Sequence, residues 1–312
     1  MTFWDKLPKG FLCLAPMADV TDQAFRRMFA KYGKPDVTWT EFVSADGLCS
    51  PGREHLLIDL GYTEAERPIV AQLFTSHPEK MYEAAKLARE LGFDGLDINM
   101  GCPDKSIEKQ GAGAGMIKNP EVAYAVIAAA KKGFEGPVSV KTRVGYNTVD
   151  MSWIEGLLKQ DLAALTIHAR TRKEMSDVPA RWEHVRETVA LRDRIAPHTK
   201  IIGNGDANSL DDARQKIKES GADGAMIGRG IFGNPWFFSG HIPTLKEKLL
   251  ALVEHTKLFA ELLGDKKNFA IMKKHYKAYV QGFDHAKDLR IKLMETNSAE
   301  EVEKLVLEYL GE

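Results

Sequence analysis

One of the chain's three cysteines, Cys102, sits in the run Leu96-Asp97-Ile98-Asn99-Met100-Gly101-Cys102-Pro103, a short apolar strand closed by a small, turn-forming corner. A thiol between Gly101 and Pro103 at the carboxyl end of a strand is aimed out of the sheet, where an α/β barrel holds its reactive groups. The competing reading is a packed small hydrophobe, because unpaired cysteines are among the most buried residue types. This segment alone leaves the two readings level. The other strand ends add weight. They carry Pro16-Met17-Ala18, Glu41, Gln72, Asn99, Lys141 and Arg143, His168 and Arg170, Asn204-Gly205-Asp206, and Gly228-Arg229. Each has a dull explanation by itself: Lys141 as a solvated strand end, His168 as a satisfied core histidine, Asp206 as a turn residue. Together they converge on one mouth, which a purely structural barrel does not need.

The last two strand ends are the most specific. Gly203-Asn204-Gly205-Asp206 and Ile227-Gly228-Arg229-Gly230 place glycine-rich turns after the seventh and eighth strands. Barrels frequently bind phosphate there, with backbone N–H groups and the N-terminus of a short helix as donors. Arg229 adds a charge-assisted contact. Lys141, Gln72 and the apolar edge Ala15-Pro16-Met17-Ala18 extend this to a flavin mononucleotide (FMN) site. Lysine and glutamine can hydrogen-bond the polar edge of the ring, where negative charge collects on reduction, and Pro16 and Met17 give an apolar floor. A barrel that binds a sugar phosphate without flavin fits the same residues.

The elements that must position these groups recur with a simple rhythm. Nearly continuous apolar runs at 11–18, 37–43, 68–74, 95–101, 137–143, 164–170, 200–206 and 224–230 read as strands buried on both faces. Helical patterns at 21–31, 78–91, 120–132, 153–159, 182–195 and 209–220 alternate with them. Their starts are marked by Asp19 or Thr21, His77-Pro78, Asn119-Pro120 and Asn208-Ser209. Eight such units fit an α/β fold of the (β/α)8 TIM-barrel kind, for which about 250 residues is typical. A doubly wound open sheet is the fallback, weakened because no GxGxxG follows the first strand. From about Pro243 the pattern turns helical, predicting a catalytic barrel over 1–242 and a helical domain over 243–312. Phe269, Met272, Tyr276, Tyr279 and Phe283 step by three and four along one helix face.

With 44% hydrophobic and 28% charged residues in 312, the composition is that of a soluble globular protein. No run is long enough to span a bilayer, and no secretory signal pattern opens the chain, so no membrane partner is expected. The spacing of Cys13, Cys49 and Cys102 suits neither a disulfide framework nor a metal site, which predicts a cytoplasmic protein with reduced thiols and no metal. The net charge of −1 argues against nucleic acid until its distribution is considered. Residues 266–292 hold eight lysines and arginines against two acids, so this stretch is +6 and the remainder −7. Lys267, Lys274 and Lys277 fall away from the apolar helix face. Such a stripe can attract and orient a polyanion.

These residues resemble the tRNA-dihydrouridine synthases. The likeness runs in order through Ala15-Pro16-Met17-Ala18, Thr21-Asp22 with Phe25-Arg26, Gln72, Asp97-to-Pro103, Val140-Lys141-Thr142-Arg143, Thr166-to-Thr171, Asn204-Gly205-Asp206 and Met226-to-Arg229. It continues into Met272-to-Tyr276 and Ala286-to-Arg290 of the helical segment. The resemblance implies an FMN barrel with a helical domain that holds tRNA. The C5=C6 bond of a uridine would be reduced, with NADPH as the reductant. By position, Pro16, Met17, Ala18, Gln72, Lys141, His168, Asn204, Gly205, Asp206, Gly228 and Arg229 would bind FMN, and Cys102 would donate the proton. Asn99, Lys105, Arg143, Arg170, Lys273 and Lys274 would face the substrate. A free thiol titrating near 8.5 suits a proton donor, with an ordinary or mildly shifted pKa. A monomer is expected. The stretches 104–107 and 173–181 depart from the family pattern on the substrate side, so the resemblance does not single out a target uridine.

Two rivals share parts of this pattern. An FMN barrel that reduces a free pyrimidine or a small enone would keep the phosphate turns but has no need of the basic stripe. An RNA-binding protein on an inactive barrel would keep the stripe but has no reason to keep Lys141, Gln72 and Cys102 together.

Overall fold

Apolar runs without polar alternation pair best in parallel sheets covered on both faces, and the computed structural model, which describes residues 2–312, is built on that principle. Its strands are β1 Phe11–Leu14, β2 Thr38–Ser44, β3 Ile69–Phe74, β4 Gly95–Met100, β5 Val138–Arg143, β6 Ala164–His168, β7 Lys200–Asn204 and β8 Gly224–Ile227. All neighbours are parallel, in the order β1-β8-β7-β6-β5-β4-β3-β2. A Cys13–Val37 bridge, with the Leu14 N–H donating to the Val37 carbonyl at 3.1 Å, joins β1 to β2 and closes the barrel.

Several strands stop short of the predicted ends. β1 ends at Leu14 rather than 18, and β6, β7 and β8 end two to three residues early. The reason is local. The residues beyond leave the ladder for turns, with Gly205 at φ +122° and Asp206 at φ +51°. A side chain on Gly205 would also meet Ala180 at 2.8 Å. Gln72, Asn99, Lys141, Arg143, His168 and Asn204 therefore stay on the strands, while Pro16, Met17, Arg170, Gly205, Asp206, Gly228 and Arg229 sit on loops fixed to them.

The helices around the barrel are α1 Gln23–Tyr32, α2 Ala45–Leu48, α3 Arg53–Leu57, α4 Pro78–Glu90, α5 Lys105–Lys109, α6 Pro120–Phe134, α7 Met151–Leu158, α8 Glu183–Ile195 and α9 Leu210–Ser220. The short α2, α3 and α5 have too few turns to show a period in sequence. Asp22, rather than Asp19 or Thr21, caps α1 by accepting the Phe25 N–H at 2.9 Å. Thr21 instead bonds both backbone groups of Met17, accepting from its N–H at 2.9 Å and donating to its carbonyl at 3.2 Å. The β1–α1 loop is thereby tied down at the barrel mouth.

Inside the barrel, Trp4, Phe11, Cys13, Trp39, Val70, Ile202 and Met226 form an apolar plug. Beyond β8 come α10 Leu245–Leu263, α11 Lys273–Tyr279, α12 Ala286–Glu295 and α13 Ala299–Leu310. Thr244 and Glu247 form a capping box that starts α10. The helical core takes in Ala24 and Met28 of α1 and Trp236, so the apolar packing crosses the change of architecture. The apolar face predicted along 269–283 is not one helix. A 3-10 turn at Phe269–Met272 leads into α11, and the chain breaks where Gly282 and His285 adopt φ +82° and +58°. Arg290 donates to the freed Val280 carbonyl at 3.1 Å. Among the described residues, no helix is long and apolar enough to cross a membrane.

Candidate active site

The side chains that alternate into the barrel meet in register at the carboxyl ends of the strands. Asn99 lies opposite Lys141, Arg143 opposite His168, and His168 opposite Asn204. Above them opens a cavity of ≈ 200 Å³. Pro16 and Met17 border it on one side, Lys141 and His168 on another, and Asn204, Gly205, Asp206, Gly228 and Arg229 on the remaining sides. Arg170 also lines it, together with Ser176 of the divergent 173–181 stretch and with Ala207 and Asn208, which carry no signal of their own in sequence. A larger groove of ≈ 710 Å³ lies outside the barrel along α4, away from every strand end.

The cavity concentrates positive charge. Lys141, Arg143, Arg170 and Arg229 surround His168, and burial together with these cations pushes the imidazole well below its ordinary pKa. The contact between the Arg170 guanidinium and His168 Nε2, at 3.1 Å, shows the same thing in geometry. Arginine only donates, so Nε2 must accept and the proton sits on Nδ1. Burial and the adjacent Arg143 lower Lys141 to about 8. Asp206 is the counter-charge. Its carboxylate accepts from Arg170 at 2.5 Å, from the Ala180 N–H at 2.8 Å and from Arg229 at 3.2 Å. Burial works to raise its pKa, but those donors hold it below the usual carboxylate range. Asp206 thus serves as an anchor for arginines. The Arg229 side chain, 64% exposed, is the one with freedom to swing onto an incoming anion.

Cys102 stands half-buried beside this cavity, within electrostatic reach of Lys141 and Arg143. Burial pushes the thiol up, so it is held protonated at neutral pH. Asn99 Oδ1 accepts the Gly101 and Cys102 N–H groups at 3.1 and 2.9 Å, and the Ala114 N–H donates to the Cys102 carbonyl at 2.9 Å. The second contact needs Gly113, at φ +57°, where a side chain would strike the Cys102 carbonyl at 2.7 Å.

The chain matches the profile of a known family, described as Dihydrouridine synthase (Dus), over residues 13–311. The chain belongs to the dihydrouridine synthase family. It is 43% identical over 310 residues to the probable tRNA-dihydrouridine synthase 2 of Bacillus subtilis, covering 97% of this chain and 95% of that one. It is 41% identical over 313 residues to the probable tRNA-dihydrouridine synthase of Staphylococcus aureus (strain MRSA252), covering 98% and 95%. The corresponding protein of Staphylococcus epidermidis RP62A is also 41% identical, over 310 residues.

In this dihydrouridine synthase family member, other residues singled out by sequence lie apart from the cavity or are bonded to the protein itself. Ala18 is exposed outside it, and Lys105 is exposed on α5. Gln72 is fully buried below the cavity, with its amide bonded to Asp97 and Asn99. Arg143 and Arg170 are committed to the protein. Arg143 donates to the carbonyls of Gly101, Thr171 and Met175 at 2.9, 3.1 and 3.0 Å, stapling the Cys102 loop to the loop after β6. Arg170 donates to the Val178 carbonyl at 2.5 Å as well as to Asp206. Arg172 adds a second staple, gripping both Glu108 oxygens at 2.8 and 2.5 Å and the Pro103 carbonyl at 3.2 Å.

The basic stripe needs one correction. Lys267 is not on the solvent face: its side chain is 14% exposed and bonds Glu41 at 2.9 Å and Asp59 at 2.6 Å. Two acids from the barrel side draw it inward. Glu41 also accepts the Asp19 N–H at 2.5 Å. Lys274 reaches Asp19 at 3.3 Å, and Lys273 sits next to it on α11, so the remaining stripe begins at the barrel mouth.

Lys141 makes the cavity's anion affinity pH-dependent with a definite sign. A lysine titrating near 8 is a cation below that pH and neutral above it. Inorganic sulfate is a dianion throughout that interval, so its calorimetric affinity should fall as pH rises through about 8 and Lys141 loses its charge. A bound anion raises the midpoint somewhat, and Lys141→Met should flatten the profile. An affinity level from pH 7 to 10 in the native protein would remove Lys141 from the anion site.

Proposed function

We propose that this protein reduces the C5=C6 bond of uridines in tRNA, with FMN held at the barrel mouth and NADPH as the reductant. The observation that carries this reading is the convergence of Pro16, Met17, Lys141, His168, Asn204, Gly205, Gly228 and Arg229 on one cation-rich cavity beside Cys102. The cavity suits FMN on two further grounds. A side chain at Gly228 would project toward Met17 Sδ and Ala15 Cβ at 3.7 and 3.8 Å, filling space above the apolar floor. The crowded cations are also mutually destabilising until an anion joins them. The volume is below the ~300–1,000 Å³ of pockets that enclose whole drug-sized ligands, and it matches a phosphate and its chain rather than a dinucleotide.

FMN, when bound, supplies the hydride for C6. The chain's own residues do the rest. Cys102 holds the proton destined for C5 on Sγ, and Asn99 and Arg143 fix the loop that carries it. The thiol gives up a proton and attacks nothing, so burial that keeps it protonated suits the task. The target uridine must leave its stack, at a cost of a few kcal/mol. Contacts of Lys273, Lys274 and Lys277 with tRNA phosphates would offset this, making affinity strongly salt-dependent. The free thiols fit a cytoplasmic enzyme.

Purified protein should be yellow and release FMN on denaturation, identified by chromatography and mass. Colourless protein that cannot be reconstituted with FMN would refute the flavin assignment and leave the sugar-phosphate reading.

A further inference from the structure

Below the cavity lies a hydrogen-bonded chain that begins at a carboxylate and ends at the Cys102 backbone. Ser139 donates to Asp97 Oδ1 at 2.5 Å, and Gln72 Nε2 donates to Asp97 Oδ2 at 2.6 Å. Asn99 Nδ2 then donates to Gln72 Oε1 at 3.1 Å. Asn99 Oδ1 finally accepts the Gly101 and Cys102 N–H groups. Asp97 and Gln72 are 0% exposed, Ser139 1% and Asn99 6%, so no water competes along the chain.

Amide orientations are ordinarily ambiguous, but here both ends dictate them. Backbone N–H groups only donate, so Asn99 must present oxygen to the Cys102 turn. Its Nδ2 must therefore face Gln72 Oε1, and Gln72 Nε2 must face an acceptor. An ionised carboxylate accepts only, and Asp97 supplies that end. Burial pushes Asp97 up to about 6, against the pull of Ser139, Gln72 and Lys141, leaving it ionised at neutral pH.

We propose that Asp97 is a positioning residue for Cys102, acting through Gln72 and Asn99 to hold the turn that carries the thiol. It touches neither substrate nor cofactor. The consequence for catalysis rests on Cys102 being the proton donor; the positioning itself does not.

The donor–acceptor logic separates two near-isosteric variants. In Asp97→Asn, the new amide can keep its oxygen toward Gln72 and donate to Ser139, whose hydroxyl turns from donor to acceptor. In Asp97→Leu, Gln72 Nε2 and the Ser139 hydroxyl both lose their acceptor, so the chain is held only from its Cys102 end. Gln72→Met cuts the chain at the next link and serves if the leucine variant does not fold.

The test is the rate of Cys102 alkylation by iodoacetamide at neutral pH, followed by peptide mass mapping that separates it from Cys13 and Cys49. Asp97→Leu, or Gln72→Met in its place, should speed alkylation about tenfold by loosening the turn, with Asp97→Asn within about threefold of the native protein. Native rates in the chain-cutting variant, or a change in Asp97→Asn as large as in it, would overturn the proposal. If alkylation changes as predicted but dihydrouridine formation never depended on Cys102, the proton-donor reading fails and the positioning relay stands.

Discussion

Replacing Cys102 with alanine should lower dihydrouridine formation about 10²- to 10⁴-fold, the range a positioned acid contributes. FMN content and oxidation of NADPH by the flavin should stay at native levels. The split follows from where the thiol sits. Cys102 is outside the set that lines the cavity, so its loss removes no group from that lining. It is half-buried on a turn held by backbone contacts to Asn99 and Ala114, which alanine preserves. What alanine lacks is a proton at Sγ. Nucleoside mass spectrometry of treated tRNA, run beside a flavin-reduction assay, reads both halves. Equal turnover in the native and alanine proteins would remove the acid from Cys102.

The second large effect concerns stability. Lys267→Met should destabilise the protein by about 3 kcal/mol, since removing one member of a buried ion cluster strands the charges that faced it. Glu41 and Asp59 side chains are 6% and 21% exposed, so Glu41 bears most of the cost. Burial opposes the charge on Lys267, but the two carboxylates outweigh it and hold the lysine protonated. The expected loss in melting temperature is on the order of 5–10 °C by calorimetry. Adding Glu41→Gln and Asp59→Asn to the methionine variant should recover part of it by removing the stranded charges. An unchanged melting temperature for the single variant would show the cluster to be neutral in energy. The contact also joins the start of the basic segment to β2, so the variant should weaken tRNA binding more than phosphate binding.

The barrel was legible because parallel strands buried on both faces leave continuous apolar runs, and because helix starts such as His77-Pro78 and Ser209 are chemically distinctive. The true ends of β1, β6, β7 and β8 are hidden in sequence, since an apolar or glycine-rich loop at the mouth looks like more strand. The cavity set came largely from reading the polar residue at each strand end. Gln72 shows where that rule stops: a polar inward residue one layer down serves its neighbours, and sequence position alone does not tell the layers apart. Lys267 was misplaced because its partners, Glu41 and Asp59, are more than 200 positions away and come from the barrel. Arg172 and Glu108 left no sequence signal for the same reason: their 64-residue separation is closed only by the folded barrel. Helical periodicity likewise hid the break at Gly282, where tertiary packing overrides the pattern.

The central claim, a flavin-dependent uridine reductase for tRNA, is tested most directly by incubating the purified protein with NADPH and a tRNA transcript lacking modifications. Digested nucleosides should contain dihydrouridine, heavier than uridine by two hydrogen atoms, at defined positions of the transcript. Free uridine monophosphate should remain unreduced under the same conditions. A transcript left unchanged while free pyrimidine is reduced would contradict the account and favour a small-molecule reductase.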